Sequence, residues 1–173
     1  MFYFEEVMVI SFQFDLKKAL KSINLTEEKK TIVIEKRRDE AEFIECYGKA
    51  KWAIVDLLNE QYAKLFNSPI DLYNWLNYNE SDEVAYFLNE AGSNTLNYAE
   101  LKKPSAVHLW WGKKGFVIGI EQEGRGFDAA RIDLLRLREN EGAGFEFFRK
   151  CKGTVFFDDV KEAKIIYFMQ KWK

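Results

Sequence analysis

The sequence predicts an α+β domain with a mostly antiparallel sheet, and three observations carry that reading. Two apolar runs, residues 106–111 and 116–121, flank Gly112-Lys113-Lys114-Gly115, the spacing of a hairpin. Two stretches, residues 49–66 and 81–100, carry apolar side chains at helical spacing. The 173 residues are 47% hydrophobic and 31% charged, enough for one domain with a proper core.

The elements follow in order. Residues 7–14, 31–35 and 42–47 alternate apolar positions and read as strands, with a short amphipathic helix at 16–23. The helix over 49–66 places Trp52, Val55, Leu58, Tyr62 and Leu65 on one side, and Asn67-Ser68-Pro69 stops it. Residues 71–76 read as a further helical turn. Ser81 is an N-cap, with Asp82 and Glu83 in the first turn, and Val84, Leu88, Ala91, Thr95 and Ala99 form the buried stripe behind them. After Pro104 comes the hairpin. A polar segment over 128–141, with Ile132, Leu134, Leu135 and Leu137 embedded, reads as a loop. A short helix at 145–151 and strands at 154–157 and 164–168 complete the order. There are two prolines and no low-complexity linker, so residues 1–173 read as one domain, in an N-terminal part (1–80) and a second part (81–173).

Composition excludes several classes. A formal net charge of -2 supplies no general basic face for nucleic acid, although it leaves a local basic patch open. No run of about 18 apolar residues exists, so no membrane span is expected. The apolar start, residues 1–10, carries Glu5 and Glu6 and reads as a strand rather than a leader. Cys46 and Cys151 form no disulfide framework or metal motif, which predicts reduced thiols in a cytoplasm. The lone histidine, His108, sits among apolar neighbours and reads as a sheet residue. Trp110-Trp111 in a strand point to opposite faces, and the outward ring predicts a second packing layer. Fifteen phenylalanines predict an aromatic-rich core.

Three patches carry the candidate chemistry. On the Ser81 helix, Glu90, Asn94 and Asn97 fall at i, i+4 and i+7 and share one face. A carboxylate one turn from an amide suits Mg²⁺, which prefers oxygen ligands and keeps several waters. The same spacing also describes the solvent face of any amphipathic helix. Next, the strand over 116–121 runs through Gln122 and Glu123 into Gly124-Arg125-Gly126, where two glycines permit a tight turn and close approach to a ligand. Gly142-Ala143-Gly144-Phe145 then opens a helix whose free N–H groups favour phosphate. Each patch alone is equally an ordinary loop or helix start.

Together, and in this order, the patches resemble the GHKL superfamily: the ATP-binding domains of gyrase B, histidine kinases and the anti-sigma-factor serine kinases. Glu90 and Asn94 match the family's E-x-x-x-N helix. Residues 122–126 match D-x-G-x-G except at the first position, and residues 142–145 match the closing G-x-G-F. The resemblance covers residues 81–173. It implies a two-layer α/β sandwich of the Bergerat type, a mixed, mostly antiparallel sheet with helices on one face, here extended by N-terminal strands. It also implies ATP and Mg²⁺ as cofactors. Asn94 would coordinate Mg²⁺ and Glu90 would act as general base or position a water. Gly124 and Gly126 would approach adenine and ribose, Gly142 and Gly144 would cradle phosphates, and Asn97 would touch lid or phosphate. The polar segment from 128 to 141, with Arg136 and Arg138, would be a short lid of the anti-sigma-kinase kind.

The departure is Gln122, where the family has the aspartate that accepts from the adenine amino group. A charge-assisted hydrogen bond is worth about 1.5–3 kcal/mol and a neutral one about 0.5–1.5 kcal/mol, so the swap weakens adenine binding several-fold. A glutamine can also flip and donate, which leaves the base open. The expectation is a nucleotide-binding regulatory protein, resembling the anti-sigma serine kinases, that switches or phosphorylates a protein partner. The alternative is a degenerate relative that works as an interaction module without turnover. Neither nucleic acid nor membrane is an expected partner. The first eighty residues either extend the sheet or build a homodimer face.

Overall fold

A computed structural model describes residues 12–26, 29–34, 40–66, 84, 86–91, 104–139 and 153–171. Five strands form one sheet: β1 Lys30–Val33, β2 Pro104–Gly112, β3 Gly115–Gln122, β4 Thr154–Phe157 and β5 Ile165–Lys171. Their spatial order is β1-β2-β3-β5-β4, and every pairing among the described residues is antiparallel. Among the described residues four helices accompany it: α1 Leu16–Ser22, α2 Glu40–Phe66, α3 at residues 86–91 and α4 Ala129–Glu139.

Period-two alternation divides the strands between two cores. Val107, Leu109 and Trp111 of β2, Phe116, Ile118 and Ile120 of β3 and Phe168 of β5 face the helix layer. There they meet Tyr47, Ala50, Ile54, Val55 and Leu58 of α2 and Phe87, Leu88 and Ala91 of α3. The result is the expected two-layer α/β sandwich. The helices are not confined to one face as expected: on the opposite face α1 buries Ala19 and Ile23 against Trp110, Val117, Phe156, Tyr167 and Met169. Trp110 and Trp111 therefore sit in separate cores, both buried, and the second packing layer is real. Aromatic stacking runs through both, with Phe87 on Phe168 at 5.1 Å and Phe156 on Tyr167 at 4.8 Å.

The hairpin end shows why this local sequence folds as it does. Asp15 caps α1, its carboxylate accepting the Lys18 N–H at 2.8 Å. At the other end Asn24 adopts φ 55°, and the Leu25 and Asn24 N–H groups return to the carbonyls of Leu20 and Lys21. This is a Schellman stop with asparagine in the left-handed position. The reversed chain then meets the hairpin turn. Lys113 and Lys114 donate their N–H groups to Asn24 and Ile23 carbonyls at 3.2 and 2.9 Å. A Cβ on residue 112 would lie 2.3 Å from the Ile23 carbonyl oxygen, so only glycine permits this docking.

Two expectations are corrected. Residues 42–47 are not a strand but the early turns of α2. Tyr47, Ala50, Ile54 and Leu58 continue one helical stripe, and the periodicity seen from residue 49 extends backwards past Gly48. Within the segment 128–141 expected as a loop, residues 129–139 are instead α4. Asp128 accepts the Arg131 N–H at 2.9 Å as its N-cap, and Ala-Ala-Arg-Ile-Asp-Leu-Leu-Arg-Leu-Arg-Glu is rich in helix formers. Strand 31–35 is observed as β1, the hairpin and residues 154–157 as β2, β3 and β4, and 164–168 as β5. The expected elements at 71–76 and 145–151, and the expected strand 7–14 up to residue 11, lie outside the described residues, while residues 12–14 of that strand are instead a turn leading to the Asp15 cap of α1.

Candidate functional site

Helix α3 carries the first candidate residue. Val84, Leu88 and Ala91 are buried toward the sheet, as the stripe predicted, and Phe87 is buried with them. Two polar ties fix α3 beside α2. The Tyr47 hydroxyl donates to the Leu88 carbonyl, and Lys51 Nζ donates to Asn89 Oδ1 at 2.8 Å. Burial raises the Tyr47 phenol well above its ordinary range, so it stays a donor. Burial also lowers the Lys51 ammonium pKa. Glu90 is half-buried on this helix, and among the described residues it makes no hydrogen bond or ion pair. Asn94 and Asn97 lie outside the described residues.

The second candidate group sits where β3 ends. Gln122 is buried, and its side chain alternates onto the helix-covered face with Ile118 and Ile120. Its Nε2 donates to the Ala163 carbonyl at 3.3 Å, and its backbone N–H donates to the Lys164 carbonyl at 3.0 Å. The Ala163 carbonyl cannot donate, so it fixes which end of the amide points toward it. Nε2 is held, and Oε1 remains as the acceptor. Gly124 follows with φ 97°, in the left-handed region. Gly126 then lets residues 162–163 approach, and Phe127 and Ala163 exchange two backbone hydrogen bonds of 3.1 and 2.9 Å. A Cβ on residue 126 would lie 2.2 Å from the Glu162 carbonyl. Gly142 and Gly144 lie outside the described residues, as do the side chains of Arg136 and Arg138. The region expected to be a lid is here a helix, with Asp133 buried and Leu134 58% exposed.

The loop facing Gly126 is held by two carboxylates. Asp158 Oδ1 accepts the N–H groups of Lys164 and Ile165, both at 2.9 Å. Asp159 Oδ1 accepts those of Glu162 and Lys161 at 2.9 and 2.8 Å. The two backbone donors, Glu162 first, hold the Asp159 carboxyl below its ordinary value of 3.8. A depressed carboxylate stabilises the folded loop above its unfolded pKa, and this contribution disappears as pH falls through the folded value. In an NMR titration Asp159 should titrate below an ordinary aspartate, and Asp159→Asn should remove its share of the acid limb of stability. A titration at or above the ordinary value would show the loop is not held this way.

On the other face lies a relay that patterning did not reveal. The Thr31 hydroxyl is 2.9 Å from His108 Nδ1, and His108 Nε2 is 2.6 Å from Glu121 Oε2. The neutral imidazole with its proton on Nε2 satisfies both contacts: it donates to Glu121 and accepts from Thr31. His108 is thus a buried sheet residue, as expected, that ties edge strand β1 to β3. The three side chains join three adjacent strands across one sheet face, so the relay reads as a structural latch. Only the register, which pairs Thr31 with His108 and His108 with Gly119, brings these residues together. Nearby Tyr167 is pushed up to about 12 by burial, with Asp158 and Glu121 adding to the shift.

Among the described residues no group of three histidine, cysteine or acidic side chains converges as a metal site. None of the described helices is long and apolar enough to cross a membrane. Cys46 carries a free thiol. Compared with protein families, curated proteins and solved structures, the chain matches none of them.

Proposed function

We propose that the chain is a regulatory protein that binds ATP with Mg²⁺ on the helix-covered face of its sheet, and that nucleotide state controls its grip on, or phosphorylation of, a protein partner in the cytoplasm. One observation carries this reading: Glu90 is a half-buried carboxylate with no partner among the described residues, on a helix stacked against the same face where β3 ends in Gln122. An unpartnered, partly desolvated carboxylate contributes little to stability and is suited to positioning a water or a hydroxyl.

The described residues fit the nucleotide in two respects. Gln122 keeps Oε1 as an acceptor, the polarity an adenine amino group requires, and Glu90, with no partner among the described residues, would act near the phosphates. Mg²⁺, when bound, would neutralise phosphate charge, with Asn94 as the ligand the family resemblance implies. Binding of the base then rests on a neutral hydrogen bond from Gln122. Gln122→Leu keeps the burial and removes the acceptor. The Ala163 carbonyl still accepts from Phe127 in that variant, so little stability is lost. Calorimetric titration with MgATP should show affinity reduced about two- to tenfold in Gln122→Leu. It should show a larger loss in Asn94→Ala. Unchanged affinity in both variants would contradict this pocket.

A second reading, an interaction module without turnover, is favoured by Gly126. The chain's own backbone at Glu162 occupies the space its missing Cβ leaves, so this glycine is explained without a ligand. Absence of MgATP binding by a folded sample would select that reading.

A further inference from the structure

We propose that the hairpin end of the sheet is a docking surface for an anionic lipid bilayer. Lys113 and Lys114 form the β2–β3 turn, and Lys171 stands beside them as the Cα partner of Gly115. The turn is hydrogen-bonded to the last turn of α1, which brings Lys21 to the same end, with Lys17 one turn behind on the same helix side. All five lysines are exposed, and none makes an ion pair with a described residue. Glu27 and Glu28, next along the chain, lie outside the described residues. Leu25, bridged to Gly112 in the middle of this group, is 40% exposed.

The composition of the patch selects the partner. The whole chain has a formal net charge of -2, so five exposed lysines at one end run against its overall sign and favour approach of that end to a negative surface. The five cations are lysines. Lysine is a hydrated point charge rather than a planar fork, suited to a diffuse field and less to bidentate recognition of one phosphate. Protein interfaces enrich arginine and aromatic residues and deplete lysine, which disfavours an acidic protein partner. An exposed leucine among lysines matches an interface whose headgroups are negative and whose interior is apolar. The patch also lies at the opposite end of β3 from Gln122, about 23 Å away at the usual strand rise, so docking leaves the candidate nucleotide site open.

Co-sedimentation with vesicles tests this. The full chain should pellet with phosphatidylcholine vesicles containing phosphatidylglycerol, should not pellet with phosphatidylcholine alone, and should be released by high salt. The double variant Lys113→Glu/Lys114→Glu should lower the partition coefficient about tenfold or more. Lys161→Glu, at the far end of the sheet, should leave it unchanged, and circular dichroism should show that both variants are folded. Failure to bind anionic vesicles at low salt, equal binding to neutral vesicles, or an unchanged double variant would overturn the proposal. Binding to duplex DNA without binding to vesicles would also overturn it and assign the patch to nucleic acid.

Discussion

Replacing Phe87 with alanine is expected to destabilise the domain by about 3–5 kcal/mol, the usual loss for a large buried aromatic. Phe87 is fully buried and stacks on Phe168, which is also fully buried and sits opposite Ile118 in the β3–β5 register. The ring joins α3 to the middle of the sheet. Its removal leaves a cavity beneath the helix that carries Glu90. The ties from Tyr47 and Lys51 hold α3 only to α2 and cannot fill that space. Denaturant unfolding measures the loss, and Phe87→Leu should recover much of it because most of the volume returns. A loss below about 1 kcal/mol would show that α3 is not docked on the sheet through this ring.

Gly126→Ala should have the next largest effect. Its methyl would meet the Glu162 carbonyl at 2.2 Å, and backbone cannot swing aside as a side chain can. Either the 126–128 segment or the 160–164 loop must move. The exchange of hydrogen bonds between Phe127 and Ala163 is then lost, together with the bond from Ala129 N–H to the Val160 carbonyl that seats the start of α4. The expected destabilisation is about 1–3 kcal/mol, as for other steric insertions into packed sites. The same movement carries away the Ala163 carbonyl that orients the Gln122 amide, so nucleotide affinity should fall with stability. Amide hydrogen exchange should accelerate at Phe127 and Ala163. Unchanged exchange at both positions would mean the close approach at Gly126 is not a constraint.

Much of the sheet was legible in the sequence because its signals are local. Gly112 to Gly115 marks a hairpin by spacing alone, and the apolar run at 154–157 coincides with β4. The errors arose where a short window fits two periods. Residues 42–47 alternate well enough for a strand, but only the longer stripe through Leu58 reveals α2. Charged side chains on α4 disguised a helix as a loop, and its leucines do not make one buried stripe, since Leu134 and Leu135 face outward. The candidate site was legible as residue types. Its geometry was not: nothing in residues 122–126 indicates that residues 162–164, far along the chain, receive the Gln122 amide and close on Gly126. The Thr31–His108–Glu121 relay was hidden for the same reason, since it depends on the register of three strands.

The ambiguity of glutamine is where structure adds most to sequence. In isolation Gln122 could donate to guanine or accept from adenine. The Ala163 carbonyl can only accept, so one Nε2 proton is committed to it and Oε1 is left as the acceptor that an adenine amino group would need.

Calorimetric titration of the folded chain with MgATP and, in parallel, MgGTP therefore tests the central claim most directly. Saturable binding of MgATP, weaker binding of MgGTP, and loss of that preference in Gln122→Leu are the expected results. Absence of heat with either nucleotide, or a preference for GTP, would contradict it.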